Sequence, residues 1–163
     1  MRVALCPGTY DPVTCGHLDI ISRAAGKFEK LVVAVVKTPP RKTALFSLEE
    51  RLCFVEQSTA HLPNVSVTTI DGLVVDCARR VGADMLVKGL RAVMDFEYEF
   101  QMAQLNKLLD AELETVYFMA SPSVGYVSSS GVKEIAAFGG AVDGLVPDYV
   151  AKRFKEIYAA AEA

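Results

Sequence analysis

Three short stretches of this chain concentrate residue types that suit phosphate chemistry. In Pro7-Gly8-Thr9-Tyr10-Asp11-Pro12-Val13-Thr14-Cys15-Gly16-His17, an apolar run gives way to two prolines, two glycines and a histidine. Gly8 and Gly16 let the backbone come close to a ligand, and His17 falls at or near the first turn of the next helix. Free amides and the helix dipole there favour an anion, with an imidazole beside it. Val127-Ser128-Ser129-Ser130-Gly131-Val132-Lys133 opens another helix with three hydroxyls and a lysine one turn in. Alone it reads as a serine-rich cap. With Gly125 and Tyr126 before it and Lys133 after it, it reads as a seat for β- and γ-phosphate oxygens. Leu86-Val87-Lys88-Gly89-Leu90-Arg91 ends a strand in two cations, again suited to phosphate. Lys42, beside Arg41 in a Pro- and Lys-rich loop, occupies the corresponding place after an earlier strand.

These stretches need a frame that brings them together. Runs at Val3–Cys6, Leu31–Val36, Val65–Ile70, Met85–Val87 and Thr115–Met119 are apolar or β-branched and suit strands covered on both faces. Between and after them the pattern predicts helices over Leu18–Phe28, Leu48–His61, Leu73–Val81, Phe96–Leu109, Gly131–Phe138 and Pro147–Ala160. Ser47 with Glu50 forms a capping box, Asp95 can cap the fourth helix, and Pro147 suits a first turn. Strand and helix in repeated alternation imply a single doubly wound, Rossmann-like α/β domain over residues 1–163, with a five-stranded parallel sheet. In such sheets ligands bind beyond the carboxyl ends of the strands, near a topological switch point. All three stretches fall there.

Composition narrows the field. A net charge of -3 offers no global attraction to nucleic acid or anionic lipid, and the Leu31–Val36 run is far too short to span a bilayer. The N-terminus lacks the pattern of a secretory signal, so a cytoplasmic location is expected. Cys6, Cys15, Cys53 and Cys77 form no C-x-x-C pair and read as reduced, mostly buried thiols. There is no G-x-x-x-x-G-K-[ST] loop, no G-x-G-x-x-G after the first strand, and no nucleophile elbow or metal-ligand cluster.

The first stretch resembles the T/H-x-G-H signature of the nucleotidyltransferase superfamily, and the serine stretch its second signature, I-S-S-S-x-x-K/R. Pro7–Pro12, Lys88–Arg91, Asp95–Glu99 and Gln101–Asn106 extend the resemblance to the bacterial phosphopantetheine adenylyltransferases over nearly the whole chain. That resemblance implies transfer of AMP from ATP to 4'-phosphopantetheine, with Mg²⁺ accompanying ATP, feedback binding of coenzyme A, and a homo-oligomer, typically a hexamer. Thr9 and His17 would contact the reacting phosphates. Lys42 and Lys88 would hold the acceptor phosphate, with Leu73 on the pantetheine arm. Tyr10, Gly89, Leu90, Arg91 and Glu99 would belong to the ATP site, completed by Val124, Gly125, Tyr126, Val127, Ser128, Ser129 and Ser130. Arg41 is the alternative to Lys42, and Lys88 stands where many relatives have arginine.

A phosphate monoester is already anionic at neutral pH and needs no general base. The task is to bring two polyanions together and stabilise charge at the α-phosphorus. His17 would donate to the α-phosphate, Lys42 would bridge acceptor and α-phosphate, and Arg91 and Ser129 would steady the leaving pyrophosphate. Two other readings stay open. One is a nucleotidyltransferase with another acceptor, such as nicotinamide mononucleotide. The other is a non-catalytic nucleotide-binding module, against which the intact Thr14, Gly16, His17 and Ser128–Ser130 speak. A mean hydropathy of +0.27 in so short a chain independently suggests apolar surface given to an interface.

Overall fold

Alternate residues of the inner strands send their side chains to opposite faces, and each face has its own core. Ala4, Cys6, Leu31, Val33, Val35 and Val87 lie in one, and Val3, Leu5, Val32, Ala34 and Leu86 in the other. The structure is a computed structural model that describes residues 2–39 and 43–161. Its strands are β1 (Val3–Gly8), β2 (Lys30–Val36), β3 (Val65–Ile70), β4 (Met85–Leu90) and β5 (Glu114–Met119). All pair in parallel in the order β3-β2-β1-β4-β5. Its helices are α1 (Cys15–Ala25), α2 (Leu48–Thr59), α3 (Val74–Val81), α4 (Val93–Leu109), α5 (Ser129–Ala137) and α6 (Asp148–Ala161). The first core joins the sheet to residues of α1, α2, α5 and α6, and the second joins it to α3.

The order reverses between β1 and β4, which is the switch point. These two strands pair only at Ala4–Met85 and Leu5–Leu86, whereas β1 pairs with β2 along all six residues. Beyond Leu5 and Leu86 the pairing of the two strands ends, on the carboxyl side where sheets of this kind place their ligands.

Several boundaries differ from the sequence pattern. β1 and β4 run on to Gly8 and Leu90, because backbone pairing continues past the apolar runs: Gly8 lies opposite Val35 and Leu90 opposite Met119. α1 starts at Cys15 rather than Leu18, since Thr14 caps it. α3 starts at Val74 and α5 at Ser129, each within two residues of expectation. Pro147 stands just before α6, its carbonyl accepting from the amides of Val150 and Ala151. α4 starts at Val93, so Asp95 is its third residue and not its cap. It reaches back instead, accepting from the amides of Arg91 (3.2 Å) and Ala92 (3.3 Å). The Ser47–Glu50 capping box forms as read.

None of α4's described residues is buried. Phe96, Tyr98, Phe100, Leu105, Leu108 and Leu109 are exposed, Leu108 at 82%. Met102, Leu105, Leu108 and Leu109 stand at near-helical spacing that suits either core packing or a flank against a neighbour; in the single chain Leu105, Leu108 and Leu109 leave an apolar flank open. Cys6 and Cys77 are buried as expected, whereas Cys53 is exposed. Among the described residues no helix is long and apolar enough to cross a membrane.

Candidate active site

The T-x-G-H stretch is a helix cap wrapped around an imidazole. Thr14 Oγ1 accepts from the His17 amide at 3.3 Å, and the Thr14 amide donates back to His17 Nδ1 at 3.1 Å. An amide can only donate, so Nδ1 carries a lone pair and the neutral ring keeps its proton on Nε2, the edge away from the cap. Burial, and then the charge of Arg91, hold the His17 pKa down at about 4. At neutral pH His17 is therefore an uncharged donor. Tyr10 supports it from the side, with ring centroids 5.1 Å apart in an edge-to-face contact. Tyr10 is itself buried, its hydroxyl donating to the Cys6 carbonyl at 3.0 Å, so only its backbone can meet a nucleotide.

α1 offers fewer free amides than the sequence suggests. The Cys15 amide donates to Leu145 O at 2.9 Å, and His17's is spent on Thr14. The second helix supplies more. Ser128 caps α5 by accepting from the Gly131 amide at 3.0 Å, and helix geometry leaves the Ser129 and Ser130 amides without intrahelical acceptors.

The two stretches interlock. A Cβ on Gly16 would stand 3.3 Å from Val124 O and 3.4 Å from Val127 O, so glycine allows α1 to start against the loop before α5. Ser129 Oγ donates to Pro12 O at 2.9 Å, and Arg91 reaches across to donate to Val127 O at 3.2 Å while pairing with Asp95. Val127 and Leu90 have buried side chains and can offer only backbone to a ligand. Tyr126 is 75% exposed. The acceptor-side residues divide. Leu73, exposed, stands just before α3 at the carboxyl end of β3. Lys88 lies 3.2 Å from Glu99, so the proposed acceptor cation and a proposed ATP-site carboxylate form one ion pair. Lys42 and its alternative Arg41 lie outside the described residues.

Sequence reasoning missed the groups that brace this arrangement. Arg51, 2% exposed on α2, donates to four backbone carbonyls: Thr9, Val36, Lys37 and Phe46. Asp11, also buried, accepts from the amides of Leu45 and Phe46 and pairs with Lys133 at 2.6 Å. Lys133 is thus engaged by a buried carboxylate. Arg51 left a signal, because it sits on the same helical face as Leu48 and Val55. Asp11 left none beyond its place in the turn.

A parallel sheet of this order, with a capped imidazole and a serine-rich helix start facing one switch point, defines a nucleotidyltransferase-type site. Residues 5–135 match the family described as Cytidylyltransferase-like. A solved structure titled a putative nicotinate-nucleotide adenylyltransferase from Vibrio parahaemolyticus superposes with a TM-score of 0.71 over 95% of this chain and 92% of that one, at 12% identity. That likeness shows the fold alone. In sequence, the chain is 53% identical over 96% of its length to the phosphopantetheine adenylyltransferase of Caldanaerobacter subterraneus subsp. tengcongensis, covering 97% of it. It is 52% identical over 98% of its length to that of Symbiobacterium thermophilum, covering 98% of it. The chain belongs to the phosphopantetheine adenylyltransferase family.

Proposed function

We propose that this chain transfers AMP from ATP to 4'-phosphopantetheine, giving dephospho-CoA and pyrophosphate. The observation that carries this reading is near end-to-end identity above 50% to proteins named for that activity, in a chain that keeps both signature stretches interlocked. An acceptor phosphate oxygen attacks the α-phosphorus, the bond to the β-phosphate bridging oxygen breaks in line, and pyrophosphate leaves with the electron pair. No covalent enzyme intermediate is needed. His17, with its proton on Nε2, donates to an α-phosphate oxygen as charge gathers there. Arg91 and the first turn of α5, including Ser129, steady the leaving pyrophosphate. Thr9 contacts the reacting phosphates, Lys42 and Lys88 hold the acceptor phosphate, and Leu73 lines the pantetheine arm. The backbone of Tyr10, Gly89 to Arg91, Glu99 and Val124 to Ser130 hold ATP.

Mg²⁺ enters with ATP as part of that substrate. Among the described residues no group of three or more His, Cys, Asp or Glu could hold an ion. Asp11, Asp95 and Glu99 already face Lys133, Arg91 and Lys88. The enzyme works in the cytoplasm as a homo-oligomer, a hexamer by family resemblance, and the apolar flank of α4 supports a buried contact there. Coenzyme A, which shares the pantetheine arm and adenylate, competes for the same crevice. Labelled ATP tests the reaction. Label in the α-phosphate must move to the acceptor product and label in the γ-phosphate to pyrophosphate; γ-label on the acceptor would mean a kinase instead.

A further inference from the structure

Lys133 ends the second signature stretch, where a cation one turn into a helix invites a role as phosphate ligand. The structure gives it another occupation. Its ammonium lies 2.6 Å from Asp11 Oδ2, with the Asp11 side chain 5% exposed and that of Lys133 25% exposed. Asp11 Oδ2 also accepts from the Leu45 amide at 3.0 Å, and Oδ1 from the Phe46 amide at 2.9 Å. A carboxylate this deeply buried is costly without a countercharge. Swinging Lys133 onto a triphosphate would strip Asp11 of its cation and leave it facing a polyanion.

The pair is also well placed to set geometry. Asp11 lies in the turn that leads from β1 to the Thr14 cap and His17, whereas Lys133 lies in α5, whose first turn carries Ser129 and Ser130. The neighbouring Ser129–Pro12 bond (2.9 Å) is a second fastening between the same two segments. Two fastenings hold one helix start to the other, and between them pass the phosphates that His17 and α5 must meet together. We propose that Lys133 is a positioning residue, a strut on Asp11 that fixes the spacing between His17 and the first turn of α5, and is not a ligand of the triphosphate. The proposal rests on the adenylyl-transfer reading.

In-line transfer is sensitive to displacements of about 1 Å, which can cost about 100-fold in rate. Turnover should therefore suffer before nucleotide affinity does. The test compares Lys133→Met, Lys133→Gln, Asp11→Asn and the Asp11→Asn/Lys133→Met double variant with the wild type. Pyrophosphate release gives kcat and the KM for ATP, calorimetry gives affinity for a non-hydrolysable ATP analogue, and thermal unfolding certifies each fold. Lys133→Met should lower kcat about tenfold or more with analogue affinity kept within about threefold. Lys133→Gln, which keeps an N–H to offer Asp11 without the charge, should recover several-fold. The double variant should be no worse than about threefold below the weaker single one, because both changes cut the same contact. If Lys133→Met does not fold, the Gln variant carries the same comparison. Analogue affinity weakened about tenfold in Met and Gln alike, or fully multiplicative losses in the double variant, would overturn the strut. A wild type that folds, binds the analogue and releases no pyrophosphate would count against adenylyl transfer instead, leaving Asp11–Lys133 coupling to be read from unfolding.

Discussion

Replacing Arg51 by methionine keeps the apolar stem and removes the guanidinium, so it isolates the brace that ties the turn after β1 to the segment after β2. Arg51 donates to Val36 O at 2.8 Å, Thr9 O at 2.9 Å, Lys37 O at 3.1 Å and Phe46 O at 3.2 Å. These carbonyls come from the turn after β1 and from both sides of the loop after β2. A buried carbonyl left without its donor costs about 1–3 kcal/mol. Four would sum to more, but the Thr9, Val36 and Lys37 contacts are only part-buried and water can answer some of the loss. Hydrogen bonds from a charged donor are worth about 1.5–3 kcal/mol each, so with water answering part of the loss a total of about 3–5 kcal/mol is expected here. For a chain of this size it lowers Tm by about 6–20 °C. Urea unfolding followed by far-UV circular dichroism measures it directly, with an unchanged m-value certifying that only stability moved. Arg51→Lys, which keeps the charge but has fewer donors and no fork, should fall between the two. A loss below about 1 kcal/mol for Arg51→Met would instead mean that water replaces all four contacts without cost and that Arg51 is no brace.

The other expectations concern the site and the assembly. His17→Ala should cut kcat by about 100-fold or more while ATP affinity stays within several-fold, read from steady-state kinetics, since the Nε2 contact strengthens only as charge develops. Nitrogen-15 NMR of His17 should show the Nε2–H tautomer at neutral pH and a midpoint of about 4. Because that value is depressed below the unfolded imidazole's, His17 favours the fold most fully above the unfolded pKa of about 6.5, and that contribution falls away as pH drops towards the folded value. A midpoint near 6.5 would contradict the burial argument. Lys88→Ala should raise the acceptor KM more than the ATP KM; equal weakening of both would move Lys88 to a general electrostatic role. Light scattering at micromolar concentration should report several times 17.7 kDa, and Leu108→Glu on the exposed flank of α4 should reduce it.

Much of this molecule could be read from the sequence because its strands are apolar on both faces and its cap residues act locally. Ser47 satisfies an amide three residues away, so its role depends on spacing alone, whereas the Thr14 cap moves the start of α1 ahead of the Leu18 that the apolar pattern indicates. The strand ends do not show in the apolar pattern where pairing, a non-local property, continues through Lys88 and Gly89. Tyr10 shows the same limit, since nothing in its neighbours reveals that a tyrosine in a turn folds back under His17. Asp11 and Lys133 are 122 residues apart, and their pairing exists only because the sheet brings α5 beside the first turn. The exposed apolar face of α4 was the hardest to place, because core and interface leave the same residues in a sequence.

The most direct test of adenylyl transfer to a phosphorylated acceptor is a pyrophosphate-release assay on the purified chain with ATP and Mg²⁺. Three acceptors are compared: 4'-phosphopantetheine, pantetheine without its phosphate, and nicotinamide mononucleotide. On the proposed mechanism the attacking atom is a phosphate oxygen, and the cations assigned to the acceptor side would recognise that phosphate. Rapid release is therefore expected with 4'-phosphopantetheine, none above background with pantetheine, and rates lower by orders of magnitude with nicotinamide mononucleotide. Release at equal rates with pantetheine, or preference for nicotinamide mononucleotide, would contradict the proposed reaction.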